Sequence, residues 1–195
     1  MGSLGPIVLE GKFVRLEPLR LHHVPALVAA GVDPAIWAYM PAQPLTVEGM
    51  TVIVEQALAA EAAGTEFAFA VVLQASGRVV GSTRYMDVTP GARGVEIGWT
   101  WYAPDVWAGK VNPEAKLLLL QHAFEAWGAI RVCLKTDNLN TRSQAAIRKL
   151  GARYEGTLRN HRIRPDGSYR HSVYFSVIAD EWPAVKAGLQ QRIQG

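Results

Sequence analysis

Three patterns along these 195 residues predict an α+β fold, a mixed, mostly antiparallel twisted sheet flanked by helices on both faces. Strand-like runs joined by turn signals fill positions 66–102 as a meander. Strand and helix then alternate from 95 to 151, a βαβ-like crossover that brings in a parallel neighbour. A last hairpin and a terminal helix complete the chain. Such a sheet has two faces to bury, and helices before and after the meander are available to cover them.

Taken in order, Phe13-Val-Arg-Leu-Glu-Pro-Leu19 reads as the first strand, with positions 1–12 as an N-terminal tail. Two helices rich in Ala, Val and Leu follow over 21–31 and 46–64, and Pro34, Pro41 and Pro44 mark the link between them. A strand over 66–73 turns at Ala75-Ser-Gly-Arg78 into another over 79–88. Thr89-Pro-Gly-Ala-Arg-Gly94 turns the chain again into Val95-Glu-Ile-Gly-Trp-Thr-Trp-Tyr102. An unbroken strand there puts Val95, Ile97, Trp99 and Trp101 on one apolar face and Glu96 on the other.

A helix is expected over 112–127. Asn112 is a favoured N-cap, Pro113 suits the first helical position, and Glu114 is an acid in the first turn, where the helix dipole is positive. Leu117, Leu120, Phe124 and Trp127 recur at helical spacing before Gly128 ends the run. Next come a strand, Arg131-Val-Cys-Leu-Lys-Thr136, and a second capped helix that begins at Asn140 and ends at Leu150-Gly151. Strands over 154–161 and 169–178 pair around Pro165-Asp-Gly167, and 180–193 is the terminal helix. No repeat or linker divides 13–195, which reads as one domain.

Composition narrows the class of function. Hydrophobic residues make up 49% and charged residues 19%, with no run of roughly 18 apolar residues, so a globular protein that does not enter the membrane is expected. The N-terminal Met-Gly-Ser-Leu-Gly-Pro lacks a basic region followed by an apolar core, which points to a cytoplasmic location. Cys133, the sole cysteine, sits in a strand-like run and reads as a buried, inert thiol. A net charge of +3 is explained as well by an anionic small ligand as by nucleic acid, because the basic residues are not gathered into aromatic-interleaved blocks. No His or Cys pair has ligand spacing with a second pair elsewhere, so no metal is expected.

The stretch Trp107-Ala-Gly-Lys-Val-Asn-Pro-Glu114 is a short glycine-containing loop that runs into a helix start. The backbone N–H groups of Ala108, Gly109, Lys110 and Val111, backed by the helix dipole and the Lys110 ammonium, suit a diphosphate. A loop of this kind is more often only structural.

With this loop in place the chain resembles the GNAT superfamily of acyl-CoA-dependent N-acyltransferases, and within it the RimJ/RimL-like branch. The resemblance runs from Phe13 to Trp182 and is carried by Phe13-Val-Arg-Leu-Glu-Pro-Leu19, Val95-Glu-Ile-Gly-Trp99, Gly109-Lys-Val-Asn-Pro-Glu-Ala-Lys116 and Asn138-Leu-Asn-Thr-Arg-Ser-Gln-Ala-Ala-Ile-Arg-Lys-Leu-Gly151. It implies acetyl-CoA as cosubstrate, without a metal. The arm of CoA is implied to lie along Trp99, Thr100 and Trp101, and its pyrophosphate on Trp107, Ala108, Gly109, Lys110, Val111 and Asn112. Asn138, Asn140 and Ser143 are implied to contact the arm near the sulfur. Two positions depart from the family pattern: Val106 and Val111 flank the loop where Gln or Arg and Gly or Ala are usual, and Ile147 stands where many members place a tyrosine. Many members dimerise, so a homodimer is among the states the resemblance implies.

Direct transfer needs a deprotonated amine, a polarised thioester carbonyl and a departing thiolate. A strand N–H near Trp99 or Thr100 suits the thioester oxygen. Glu96 is the candidate general base, acting through a water, and a structural carboxylate paired with Arg or Lys is the equal alternative. Ser143 either reaches the thiol or serves only the first turn of its helix, and Asn140 explains itself as an N-cap. An α-amine, with a pKa of about 7.7–8.0, is more readily deprotonated at neutral pH than a lysine at about 10.4. A protein N-terminus or a small-molecule amine is therefore the expected acceptor. A non-catalytic acyl-CoA-binding protein of the same fold is the other reading.

Overall fold

A computed structural model describes residues 2–164 and 166–194. Its strands are β1 (Leu9–Glu10), β2 (Val14–Pro18), β3 (Phe67–Leu73), β4 (Val79–Thr89), β5 (Gly94–Tyr102), β6 (Arg131–Asp137), β7 (Arg153–Ile163) and β8 (Tyr169–Ile178). The helices are α1 (Val24–Ala30), α2 (Val47–Ala62), α3 (Val111–Gln121), α4 (Thr141–Leu150) and α5 (Trp182–Gln194). The strands form one sheet in the order β1-β2-β3-β4-β5-β6-β8-β7, and only β5 and β6 run parallel. One apolar cluster joins the sheet to α3, α4 and α5 through Leu119, Leu120, Ile147, Leu150, Val185 and Leu189. A second, on the opposite face, joins it to α1 and α2 through Leu27, Trp37, Met50 and Val54.

Local sequence explains most boundaries. Thr46 caps α2 by accepting the Gly49 N–H at 3.1 Å, and Asn140 caps α4 by accepting the Ser143 N–H at 3.0 Å. Gly151 ends α4 and Gly128 ends the π-turn over His122–Trp127 that follows α3, both with left-handed backbone. Of the expected Pro165-Asp-Gly turn, Pro165 lies outside the described residues, while the Gly167 N–H bonds the Arg164 carbonyl at 2.9 Å.

Three expectations are corrected. Asn112 is not the N-cap of α3: the helix begins at Val111 after Lys110, and no side chain caps it. Glu114 is committed elsewhere. Its buried carboxylate accepts the backbone N–H groups of Lys12, Phe13 and Val14 at 2.6–2.8 Å. The segment read as a tail therefore belongs to the folded body, since Leu4 is in the core and β1 pairs with β2.

The third correction concerns β5, where the alternation breaks. Ser82 pairs with Trp101 and Arg84 with Gly98, so Trp99 and Thr100 oppose the single residue Thr83. This is a β-bulge, with Trp99 in the left-handed region at φ 48°. Val95 and Ile97 face the α3 side, but beyond the bulge Trp101 faces the α1 and α2 side, its ring 4.8 Å from that of Trp37. Gly81 makes room for this, because a Cβ there would collide with the Trp101 carbonyl.

Replacing Glu114 with Ala leaves three backbone donors without their charged acceptor and is expected to lower the unfolding free energy by about 2–4 kcal/mol in urea denaturation. A change within about 0.5 kcal/mol would contradict the anchoring role.

Candidate active site

Pairing of β5 with β6 runs from Gly94–Arg131 to Glu96–Cys133 and stops there, although β5 continues to Tyr102 and β6 to Asp137. The bulge turns β5 away, and the two strands splay. A cavity of about 340 Å³ opens at the gap and reaches both faces of the sheet. From the α3 and α4 side it is lined by Asn112, Lys116, Asn140, Ser143 and Ile147. From the other side come Tyr39, Met40, Glu96, Lys135 and Asp137, with Arg162 and Arg170 from the last hairpin.

The loop before α3 supplies donors on the first side. Among the described residues, the N–H groups at positions 108–112 donate to no protein acceptor, the arrangement expected at a helix start that holds an anion. Ala108 takes a left-handed conformation at φ 59°, which sets the turn. Trp107 is fixed by its indole N–H to the Tyr102 carbonyl at 2.8 Å and is covered by the Arg142 guanidinium 3.9 Å from the ring centre. Lys110 points away from the cavity, its ammonium 5.2 Å from the centre of the Phe13 ring.

On the other side, Glu96 is buried and its Oε2 lies 2.7 Å from the Lys135 ammonium. Burial pushes the Glu96 carboxyl above the ordinary range against the opposing pull of Lys135. Burial works against the Lys135 charge too, but contact with Glu96 outweighs it and the ammonium is held above its usual value. Gly98 leaves space for this pair, since a Cβ there would stand 2.8 Å from Glu96 Oε1 and from Met86 Sδ. The structural reading of Glu96, a carboxylate paired with a lysine, is thus realised, in a cavity wall where the group is also open to a ligand.

Sequence reasoning passed over Lys116. Spacing alone placed it within α3, and only the fold reveals a buried lysine whose Nζ contacts the Thr100 hydroxyl at 2.6 Å and the Thr83 hydroxyl at 3.4 Å. With no carboxylate in contact among the described residues, burial pushes its ammonium down to about 7. It also gave no ligand role to Arg142, which lies inside the motif from Asn138 to Gly151, or to Arg162 and Arg170, whose basic stretch reads in sequence as a solvated hairpin edge.

Of the residues singled out from sequence, Glu96, Trp99, Thr100, Trp101, Trp107, Ala108, Asn112, Asn140 and Ser143 are brought together around the cavity. Gly109, Lys110, Val111 and Asn138 do not line it: Val111 is core, and Asn138 borders Arg164 beyond Asp137. His161 and His171, on the last hairpin, bond the Ser172 hydroxyl and the Asn160 N–H. Cys133 is buried and its thiol is pushed up to about 11 by that burial, in keeping with an inert role.

Comparison with known proteins identifies the family. The model of the Acetyltransferase (GNAT) domain matches residues 14–153. The chain belongs to the GNAT acetyltransferase family. It is accordingly an acyltransferase of the N-acetyltransferase type. A GCN5-related N-acetyltransferase from Brucella melitensis is 31% identical, with a TM-score of 0.89 over 96% of this chain and 85% of that one. A protein of T. thermophilus provisionally assigned as an acetyltransferase is 38% identical, with a TM-score of 0.87 over 97% and 98% of the two chains. RimJ from Mycobacterium smegmatis, solved with CoA-disulfide, shares the fold at 24% identity and a TM-score of 0.85 over 98% and 97% of the two chains. No curated protein matches the sequence. Among the described residues, no helix is long and apolar enough to cross a membrane.

Two outcomes follow from the geometry. Lys116 holds its proton less tightly in the folded protein than in the unfolded chain, so stability rises with pH between about 7 and 10.4. Lys116→Met is expected to raise Tm at pH near 6–7 by roughly 5 °C, with the advantage shrinking toward pH 10. Equal Tm differences across that range would contradict a strained lysine. Gly98→Ala is expected to displace Glu96 from Lys135 and lower acetyl-transfer turnover by about tenfold or more, without loss of fold by circular dichroism; wild-type turnover would contradict the packing argument.

Proposed function

We propose that the protein transfers an acetyl group from acetyl-CoA directly to a primary amine, either a protein N-terminus or a small-molecule amine. The observation that carries this reading is the splay of β5 from β6, which joins a phosphate-suited loop on one face to a buried carboxylate on the other through one cavity. The complex of the related RimJ fold with CoA-disulfide supports CoA as the donor-side ligand.

In this reading the pyrophosphate sits on the free N–H groups at positions 108–112, and Arg142 adds charge nearby. The arm extends along the edge of β5 that β6 leaves unpaired, beside Trp99, Thr100 and Trp101. A free strand N–H at the bulge holds the thioester oxygen and stabilises the negative charge that develops there. The amine enters from the Tyr39 and Met40 side and attacks the carbonyl carbon. Its proton passes to Glu96 through a water; Oε1, unlike Oε2, bonds no protein group among the described residues. The raised basicity of the buried carboxylate suits it to that task. Ile147 gives the departing thiolate no proton, and the proton donors that line the donor side are Ser143 and Lys116.

The test is thiol release across a panel of amines combined with calorimetry for acetyl-CoA. Acetyl-CoA binding with amine-dependent thiol release is expected; no binding at millimolar ligand would overturn the reading, and binding without release for any amine would leave only a CoA-binding role. Glu96→Gln is expected to lower turnover by about 10²–10⁴-fold and remove the acidic limb of the pH profile, with acetyl-CoA affinity retained. A profile that keeps its acidic limb would assign the base elsewhere.

A further inference from the structure

The charges on the acceptor side of the cavity do not cancel. Lys135 is shared by Glu96 at 2.7 Å and Asp87 at 3.4 Å, and Asp137 is taken by Arg164 through two bonds, Nε to Oδ2 at 2.8 Å and Nη2 to Oδ1 at 2.9 Å, which leaves Arg162 and Arg170 as the surplus. Arg170 stands next in line. Its Nε is 4.0 Å from Asp137 Oδ2, too far for a hydrogen bond, and that nitrogen is buried with no partner. Among the described residues the whole Arg170 guanidinium donates to nothing, and Arg162, beside it across the hairpin, forms no ion pair. Burial lowers the basicity of Arg170 although Asp137 opposes the shift, which is the behaviour of a cation short of an anion.

A desolvated, forked donor left open in a cavity wall is costly unless a ligand completes it. From this we infer that Arg170 is an anion subsite, and that the preferred acceptor is an amine that carries a carboxylate a few bonds from its nitrogen. The placement fits the sheet geometry. Glu96 meets Lys135 and Arg170 meets Asp137, and these two β6 residues are two apart on one face, about 7 Å along the strand. One short molecule or one acidic first residue therefore spans base and guanidinium. The donor phosphates are served from the other face, by the loop before α3 and Arg142, so the two anion demands are separate.

This inference rests on the acetyl-transfer reading, and its test is arranged so that the two fail separately. Peptides beginning with Asp or Asn, and the small amines aspartic acid α-amide against asparagine amide, are compared as acceptors by thiol release; the free and peptide arms distinguish a small-molecule source from a protein N-terminus. The side-chain carboxylate is expected to raise kcat/KM by about tenfold or more. Arg170→Gln is expected to collapse that ratio toward one, and Arg170→Lys to keep part of it, with acetyl-CoA affinity by calorimetry unchanged in both. The same contrast is read without turnover, as equilibrium binding of N-acetyl-aspartyl and N-acetyl-asparaginyl peptides with and without CoA. Equal rates and equal binding for acidic and neutral partners, or a preference that survives Arg170→Gln, would overturn the anion subsite while leaving acetyl transfer intact. Loss of acetyl-CoA binding in the wild-type protein would instead remove the acetyl-transfer reading.

Discussion

The left-handed turn at Trp99 is the constraint on which the site depends. A bulky residue at φ 48° costs about 1–3 kcal/mol, and it persists only where neighbours hold it. Here the Arg84 guanidinium lies 4.6 Å from the centre of the Trp99 ring and is itself tied to Glu66 at 3.1 Å. Gly81 opens the room that the displaced β5 carbonyl needs. The extra residue turns β5, so its pairing with β6 ends at Glu96 and its outer edge is left without a strand partner. Without the bulge the sheet would be continuous there and no gap would join its faces.

Two chemically different environments then meet at one gap. On the α3 side, free N–H groups and Arg142 are suited to phosphates, and Lys116 is buried against two threonine hydroxyls. On the other side the carboxylates are each held by a cation, Glu96 by Lys135 and Asp137 by Arg164. These ion pairs keep charge in a partly dry wall, where a lone carboxylate would be neutralised. Anchoring also reaches the loop before α3 from a distance, because Glu114 in the first turn of α3 gathers the backbone of positions 12–14.

Periodicity and turn chemistry made most of the fold legible. The meander, the crossover and the helix that Asn140 caps all follow from local signals that the structure repeats. Local signals failed where a distant partner decided the outcome. Glu114 looked like a first-turn acid but serves a segment about a hundred positions away in sequence, and that contact also draws residues once read as a tail into the core. Asn112 looked like a cap, yet the helix starts one residue earlier with no side-chain cap. The bulge was hidden because Trp99 and Trp101 fit a simple alternation, and nothing in that spelling marks a positive φ at tryptophan. The candidate site was legible in part: the β5 residues and, of the loop, Trp107, Ala108 and Asn112 stood in visible motifs and line the cavity, while Lys116, Arg142 and Arg170 acquire meaning only from what surrounds them.

The most direct measurement is a crystal structure of the protein with CoA. The splay account predicts the pyrophosphate on the N–H groups at positions 108–112, the arm on the free edge of β5 between Glu96 and Tyr102, and the sulfur opening toward Glu96. CoA held elsewhere on the surface, or β5 and β6 paired continuously through the gap, would contradict it.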